Sequence, residues 1–185
     1  MEGVFVLGLG VVLLVLALAV VVIVSLRTES DQRALELEAR ATNALEESLP
    51  PGVGTHLERP LEVRAVRVID ERPKNPVYVP VVRVPLGTAD TPGMGLVFEY
   101  VAAVLTAIHP VFAEEHDRVR HYDVEFTFGP NGLLVSGACY RVGVPLDLAE
   151  RVVGDSRYRA RDLQRDVKAR ADSEEEASAV LWEEC

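Results

Sequence analysis

The chain has 185 residues, a mass of 20.3 kDa, 49% hydrophobic residues and a formal net charge of -10 at pH 7. Almost all of the apolar excess precedes residue 27, and every charged residue except Glu2 follows it. This split excludes a plain cytosolic globule, a disordered chain and a nucleic-acid binder that works through bulk positive charge.

Residues 3–26 form one uncharged, apolar run. As a helix rising 1.5 Å per residue, the run reaches about 36 Å, which is enough to cross a hydrocarbon core of ~30 Å. We therefore expect an uncleaved single-pass anchor over residues 1–26 that holds the protein in the cell membrane, with the lipid bilayer as its first partner. A cleaved signal peptide is the alternative, but no basic segment precedes the run and the run is longer than a signal peptide requires.

Arginines follow the anchor closely, at Arg27, Arg33 and Arg40. Because positive charge favours the cytoplasmic side, they predict a cytoplasmic C-terminal domain. Within the anchor, small residues recur every seven positions at Gly3, Gly10 and Ala17. Such a stripe would let a second membrane helix pack closely, although these residues are also common in membrane helices by composition.

A polar juxtamembrane helix is expected over residues 27–50, with Ala34, Leu37, Ala41, Ala44 and Ser48 spaced along one side. The stripe favours pairing with a second helix, and a helix lying on its own domain is the alternative. We expect an α+β domain over residues 55–155, followed by a basic helix and an acidic tail over residues 156–185.

Strand and helix patterns alternate along that domain. Residues 61–70 and 77–85 are rich in β-branched residues and predict an antiparallel pair, with Pro80 marking the second strand as an edge. An apolar helix of about 17 residues follows at residues 96–112, and with Glu99, His109 and Pro110 in it the helix is too short and too polar for a second span. Residues 122–128 alternate strictly between apolar and polar, which predicts a strand with one buried and one wet face.

Residues 133–144 are expected to return as the partner of that strand, with Phe128 opposite Leu133 and Tyr122 opposite Cys139. This register would point Cys139 into the core. The predicted fold class is therefore α+β, with a small antiparallel four-stranded sheet packed with helices in the order helix-ββ-helix-ββ-helix after an N-terminal transmembrane helix.

Three of the four histidines, His109, His116 and His121, lie near acidic residues around the end of the central helix. Imidazoles and carboxylates that converge can bind a transition metal, which makes these three the metal candidates. Their spacing matches no established ligand pattern, and a solvated connection is the alternative. No nucleophile elbow or phosphate loop is present, so we predict no catalytic residues and no cofactor.

One side of the central helix carries Gly95, Glu99, Ala102, Thr106 and His109 at helical spacing, and Trp182 lies in the acidic tail. These residues are candidates for binding a partner. The alternatives are that the chain's own last helix covers the stripe and that the tail folds back on the basic helix.

The two cysteines, Cys139 and Cys185, match neither a disulfide framework nor a zinc spacing, so free thiols are the simpler expectation, with a single bridge left open. Only two of the 19 basic residues are lysines. This acidic, lysine-poor composition resembles that of proteins from salt-loving microbes, although a GC-rich genome also favours arginine.

The order of a membrane helix, a juxtamembrane helix and then strand-strand-helix-strand-strand resembles that of the bitopic assembly proteins of type IV pilus and type II secretion machines, the PilO and GspM kind. The resemblance rests on element order and on no motif, and those domains face away from the cytoplasm. We predict a membrane-anchored, non-enzymatic interaction or scaffold domain that self-associates or binds a membrane protein and binds no nucleic acid. A tethered small-molecule or metal-sensing domain is the alternative.

Overall fold

The structure is a computed structural model that describes residues 29–48, 57, 60–70, 76–113, 118–129, 137–173 and 178–185. The predicted anchor and its packing residues Gly3, Gly10 and Ala17 lie outside the described residues, as does His116. The described part is an α+β fold with four helices and a mixed six-stranded sheet.

Helix α1 covers residues 29–48 and precedes the sheet. In chain order the elements that follow it are β1 (Glu62–Asp70), β2 (Val77–Pro85), α2 (Met94–Ala113), β3 (Arg118–Val119), β4 (His121–Phe128), β5 (Ala138–Pro145), α3 (Leu146–Gly154), α4 (Ala160–Asp172) and β6 (Val180–Glu184).

The sheet has the strand order β1-β2-β4-β5-β6, with the short β3 also paired to β2. Strands β2 and β4 are parallel, and the β1–β2, β4–β5 and β5–β6 pairs are antiparallel. The prediction of four antiparallel strands is therefore wrong in strand number and in one pairing. Parallel neighbours need a crossover connection, and here α2 supplies it between β2 and β4.

Pro80 does not mark an edge, because β2 lies between β1 and β4. Strand β2 pairs with β3 at Val77 and Tyr78 and with β4 from Val81 onward. The Tyr78 carbonyl accepts a hydrogen bond from the Arg120 amide, so the backbone of Pro80, two residues on, faces the same side. Pro80 thus lies in the gap between the end of the pairing with β3 and the start of the pairing with β4. Its missing N–H therefore costs the sheet no hydrogen bond.

The β4–β5 register also differs from the prediction. Phe128 pairs with Ala138 and Thr127 with Cys139, so the connection is longer than a tight turn. Because paired residues point to the same face, Cys139 lies on the face of Thr127 and not in the core.

All four helices contribute to one apolar core on one face of the sheet. The core stripe of α1 is Ala34, Leu37, Ala41 and Leu45, while Ser48 is exposed. Helix α1 therefore lies on its own domain, which is the alternative that the sequence left open. Helix α2 has 20 residues, so it is longer than predicted, and it is the one described helix long and apolar enough to cross a membrane. Most of that stretch is buried inside the protein.

Candidate functional site

The opposite face of the sheet, here called the outer face, carries a set of charged side chains. Strand β4 directs Tyr122, Val124 and Phe126 into the core, so Asp123 and Glu125 point to the outer face. The register sets Glu125 between Arg83 of β2 and Arg141 of β5.

Glu125 binds two arginines. Nη1 of Arg64 donates to both carboxylate oxygens, at 2.9 and 2.8 Å, and Arg83 donates from Nη2 at 2.9 Å and from Nε at 3.3 Å. The Glu125 side chain is only 10% exposed, so its charge is shielded from water and balanced by these two guanidinium groups.

Asp123 is the most deeply buried carboxylate of the outer face, with a side chain 1% exposed. Arg67 donates to its Oδ2, Nη1 of Arg141 lies 3.4 Å from the same oxygen, and Nε2 of His121 lies 3.4 Å from Oδ1. Burial raises the pKa of Asp123, but His121, Arg141 and Arg67 lower it by more, so the net pKa is below the ordinary value. Asp123 is therefore ionised at neutral pH.

Two further carboxylates lie at the margin of this group. Glu183 of β6 accepts from Nη2 of Arg141 at 2.5 Å and from Nε at 3.1 Å. Glu62 of β1 lies 3.9 Å from Arg83. We call the group the arginine cluster, and it consists of Arg64, Arg67, Arg83 and Arg141 around Asp123 and Glu125.

A cavity of about 270 Å³ opens beside the cluster. It is lined by Arg64, Ala65, Arg67, Val81 and Glu125. Its floor is apolar and its walls carry two guanidinium groups, whose side chains are 51% and 50% exposed. Since arginine stays charged at any physiological pH, this wall can hold an anion but cannot exchange protons with a ligand.

The two cysteines form a disulfide, with a Cα–Cα distance of 5.4 Å, so the expectation of free thiols is wrong for this structure. The longer β4–β5 connection places Cys139 on the outer face, and the Cys185 amide donates to the Cys139 carbonyl at 3.1 Å. One Glu125 oxygen and the two sulfurs lie within 4.8 Å of one another. This is not a ready metal site, because the sulfurs are bonded to each other and Glu125 binds two arginines.

The structure does not bring the described histidines together. Nδ1 of His109 lies 2.8 Å from the Tyr122 hydroxyl on the core side of the sheet, whereas His121 contacts Asp123 on the outer face. Burial lowers the pKa of His109, and the negative charge of Glu150 offsets part of this shift. For Tyr122, burial and the charge of Glu150 both raise the pKa. Since His116 lies outside the described residues, a metal site of all three histidines has no support here.

The proposed partner-binding stripe on α2 is only partly open. Gly95, Glu99 and Thr106 are exposed, Ala102 is half-buried and His109 is buried. Trp182 is half-buried in β6, where its ring stacks on Tyr140 with centroids 5.0 Å apart. The tail therefore adds a strand to the sheet beside β5 and also packs against α4, as the alternative from the sequence expected. Arg165 and Arg170 of α4 pair with Asp162 and Asp147.

The arginine cluster was not predicted from the sequence. The alternation of β4 placed Asp123 and Glu125 on one face, but that face was interpreted as wet. The available signal was the charged pattern itself, with Arg64 and Arg67 on the predicted strand at residues 61–70 and two acidic residues on β4, but β2 separates these two strands in the sheet.

No protein-family model matches this chain, and no curated protein or solved structure is significantly similar to it.

Proposed function

We propose that this protein is a membrane-anchored, non-enzymatic interaction domain that binds an acidic segment of a partner protein through its arginine cluster. The observation that carries the proposal is the outer face itself, where half-exposed guanidinium groups are held in place by buried carboxylates. The other face of the sheet is used by the helical core.

Charge complementarity identifies the partner's chemistry. Four guanidinium groups surround two buried carboxylates, and the two further carboxylates at the margin lie beside Arg83 and Arg141. Arg64 and Arg67 are the two arginines that reach furthest into solvent. Arginine at a protein interface favours carboxylates because its planar fork matches their two oxygens. An acidic segment of a partner at the same membrane is therefore the occupant we assign to this face.

Self-association remains part of the proposal only through the anchor. The side chains of α1 that would have paired with a second helix, Leu37 and Ala41 among them, are buried in the protein's own core. The stripe of Gly3, Gly10 and Ala17 is then the segment through which two copies would pair.

The proposal is tested by photo-crosslinking the full chain in its native membranes. A photoreactive residue in place of Glu62, on the outer face, is expected to trap one discrete complex. The same residue in place of Leu35, exposed on α1, is the matched control and should trap none. Reversing the charge in Arg64→Glu with Arg67→Glu should abolish the complex. Equal crosslinks from both positions, or a complex that survives the reversal, would refute the proposal.

Two features of the chain give opposing indications of which side of the membrane the C-terminal domain occupies. Disulfides persist in oxidising compartments and are rare in the cytosol, whereas Arg27, Arg33 and Arg40 favour a cytoplasmic domain. The disulfide is the stronger signal, because the charge bias rests on three residues, so the oxidising side is our proposal and it departs from the sequence expectation.

Cysteine labelling in intact cells separates these two topologies. A Ser156→Cys variant, made in a background with both native cysteines replaced by serine, offers one exposed thiol. Labelling by a membrane-impermeant reagent in intact cells is expected for the oxidising side. Labelling only in inverted vesicles would restore the cytoplasmic placement.

A tethered small-molecule sensor is the second candidate function. The cavity beside Arg64 and Arg67 favours it, since small-molecule sites are concave and combine apolar lining with a few polar groups. The metal-sensing version is weaker, because His109 and His121 lie on opposite faces of the sheet.

A further inference from the structure

The cavity beside the arginine cluster has the composition of an anion site. Ala65 and Val81 form an apolar floor, and Val81 is only 4% exposed. Arg64 and Arg67 stand at its sides, and the carboxylate of Glu125, which Arg64 and Arg83 neutralise, completes the lining. The volume of about 270 Å³ is slightly below the usual range for small-molecule sites, which suits a ligand of only a few non-hydrogen atoms.

Both arginines retain unused hydrogen-bond donors. Arg64 contacts Glu125 through Nη1 alone, and Arg67 contacts Asp123 through Nη2 alone. A guanidinium group has five N–H donors. Within the part of the chain that the structure describes, the Nε of each arginine and its second terminal nitrogen therefore donate to no protein acceptor.

The positive charge of the cluster is concentrated at this cavity. Arg141 has Glu183 as an additional partner, and Arg83 has Glu62 nearby. Among the described residues, Arg64 and Arg67 have no acidic partner beyond the shared carboxylates Glu125 and Asp123. An arriving anion would meet two partly neutralised guanidinium groups in a partly desolvated setting, where ionic hydrogen bonds are strongest.

The arginines are also held in position before any ligand arrives. The buried carboxylates of Asp123 and Glu125 fix one terminal nitrogen of each arginine, and the carboxylates are themselves fixed on a central strand. Binding then costs less side-chain entropy than binding to free surface arginines would.

We propose that this cavity is a binding site for one oxyanion, a carboxylate or a phosphate, carried on a small apolar body. The inference rests on the proposed function, because it names the chemical group that the outer face recognises. A carboxylate is the group that an acidic partner segment would insert, and a free organic anion would offer the same chemistry to a sensing domain.

The test is calorimetric titration of the purified full chain in detergent at low salt. The probes are inorganic phosphate, succinate and benzoate. Saturable binding of at least one probe is expected at micromolar to millimolar concentrations, and it should weaken with added salt. Arg64→Gln and Arg67→Gln should each weaken binding roughly ten- to hundredfold, since each removes charge-assisted hydrogen bonds.

Three further variants keep the test independent of folding and of bulk charge. Arg161→Gln removes the same charge from an exposed position on α4 and should leave binding unchanged. Ala65→Leu fills the cavity without changing charge and should abolish binding of benzoate and succinate. Arg64→Lys keeps the charge and should retain part of the affinity. Circular dichroism of each variant confirms that it folds.

The outcomes separate this inference from the proposed function. No saturable binding of any probe, or equal weakening by Arg161→Gln and Arg64→Gln, would overturn the oxyanion site while the crosslinking result stands by itself. Tighter binding of phosphate than of the carboxylates would assign the site to a phosphorylated ligand. Tighter binding of the carboxylates would assign it to an acidic segment or a free organic acid.

Discussion

The replacement of Asp123 by asparagine probes the centre of the arginine cluster. Asparagine has nearly the same volume and keeps one oxygen that can accept hydrogen bonds, while an NH2 donor replaces the other oxygen, so the change removes the charge and one acceptor. Arg67 and Arg141 then remain beside a neutral group on a partly buried surface. We expect the folded state to be destabilised because these two cations lose the carboxylate that balances them.

The expected loss of unfolding free energy can be estimated from how deeply the ion pairs of Asp123 are buried. Removing one partner from a fully buried ion pair costs about 3–5 kcal/mol. The arginines here are 50% and 30% exposed, so water offsets part of that loss. We expect Asp123→Asn to lower the free energy of unfolding by about 2–3 kcal/mol. Glu183→Gln removes a 56% exposed partner of the same Arg141 and should cost under about 1 kcal/mol.

Thermal unfolding of the full chain in detergent measures this difference. Trp182, the single tryptophan, lies in β6 and reports loss of the sheet by fluorescence. At about 2–4 °C per kcal/mol, the Tm should fall by roughly 5–10 °C for Asp123→Asn and by less than about 4 °C for Glu183→Gln. Equal shifts in the two variants would refute the argument that burial sets the strength of the cluster.

The pH dependence gives a second measurement on the same variant. The pKa of Asp123 is lowered in the folded state, so the unfolded chain binds more protons in acid. The stabilisation is therefore complete above the ordinary carboxyl pKa and is lost as the pH falls through the folded value. Asp123→Asn should therefore lose less stability in acid than the unmodified protein does. If both proteins lose the same stability as the pH falls, Asp123 does not have a lowered pKa in the folded state.

Three further predictions concern other parts of the fold. Cys185→Ser opens a loop of 46 residues and should destabilise the protein by up to about 4 kcal/mol in urea unfolding, an effect that dithiothreitol should reproduce in the unmodified protein and not in the variant. Gly143→Ala would place a Cβ 2.8 Å from the Ser178 carbonyl and should cost about 1–3 kcal/mol, whereas Gly95→Ala meets nothing within 4 Å and should be neutral or stabilising. Burial lowers the pKa of His109, so stability should fall as the pH drops below about 6.5, and His109→Gln should remove that part of the pH dependence in thermal melts.

The strongest local patterns in the sequence predicted their elements closely. Residues 77–85 and the alternation that begins at Tyr122 match β2 and β4. The first was found from its β-branched residues and the second from its apolar-polar alternation, although both strands are largely buried on both faces. The apolar helix predicted after the second strand likewise matches α2, which buries most of its apolar side chains. These features depend only on neighbours within each element.

The direction and register of the strand pairs could not be predicted from such local patterns. The predicted order already placed a helix between the second and third strands, but the local pattern did not give their relative direction, and α2 returns the chain in a parallel direction beside β2. The predicted pairing of Phe128 with Leu133 assumed a tight hairpin, whereas Phe128 pairs with Ala138 in the structure. That shift alone reversed the expected side of Cys139 and hid the disulfide.

Strand β6 was missed because its pattern is weak outside its context. Val180, Leu181 and Trp182 are followed by Glu183 and Glu184, so the segment looked like an acidic tail. Its acidic end is stabilised by contacts that only the fold supplies, namely the ion pair of Glu183 with Arg141 and the disulfide at the C-terminus.

The arginine cluster is costly to bury, and this bears on its role. Buried ion pairs seldom stabilise a fold more than apolar residues of similar volume would. We therefore expect the combined replacement Arg64→Met, Arg83→Met and Glu125→Leu to leave a folded protein, with a free energy of unfolding within about 2 kcal/mol of the unmodified one in urea titrations. The same protein should lose oxyanion binding in calorimetry. A replacement that folds and still binds would place the anion elsewhere, and one that cannot fold would make the cluster a requirement of the sheet.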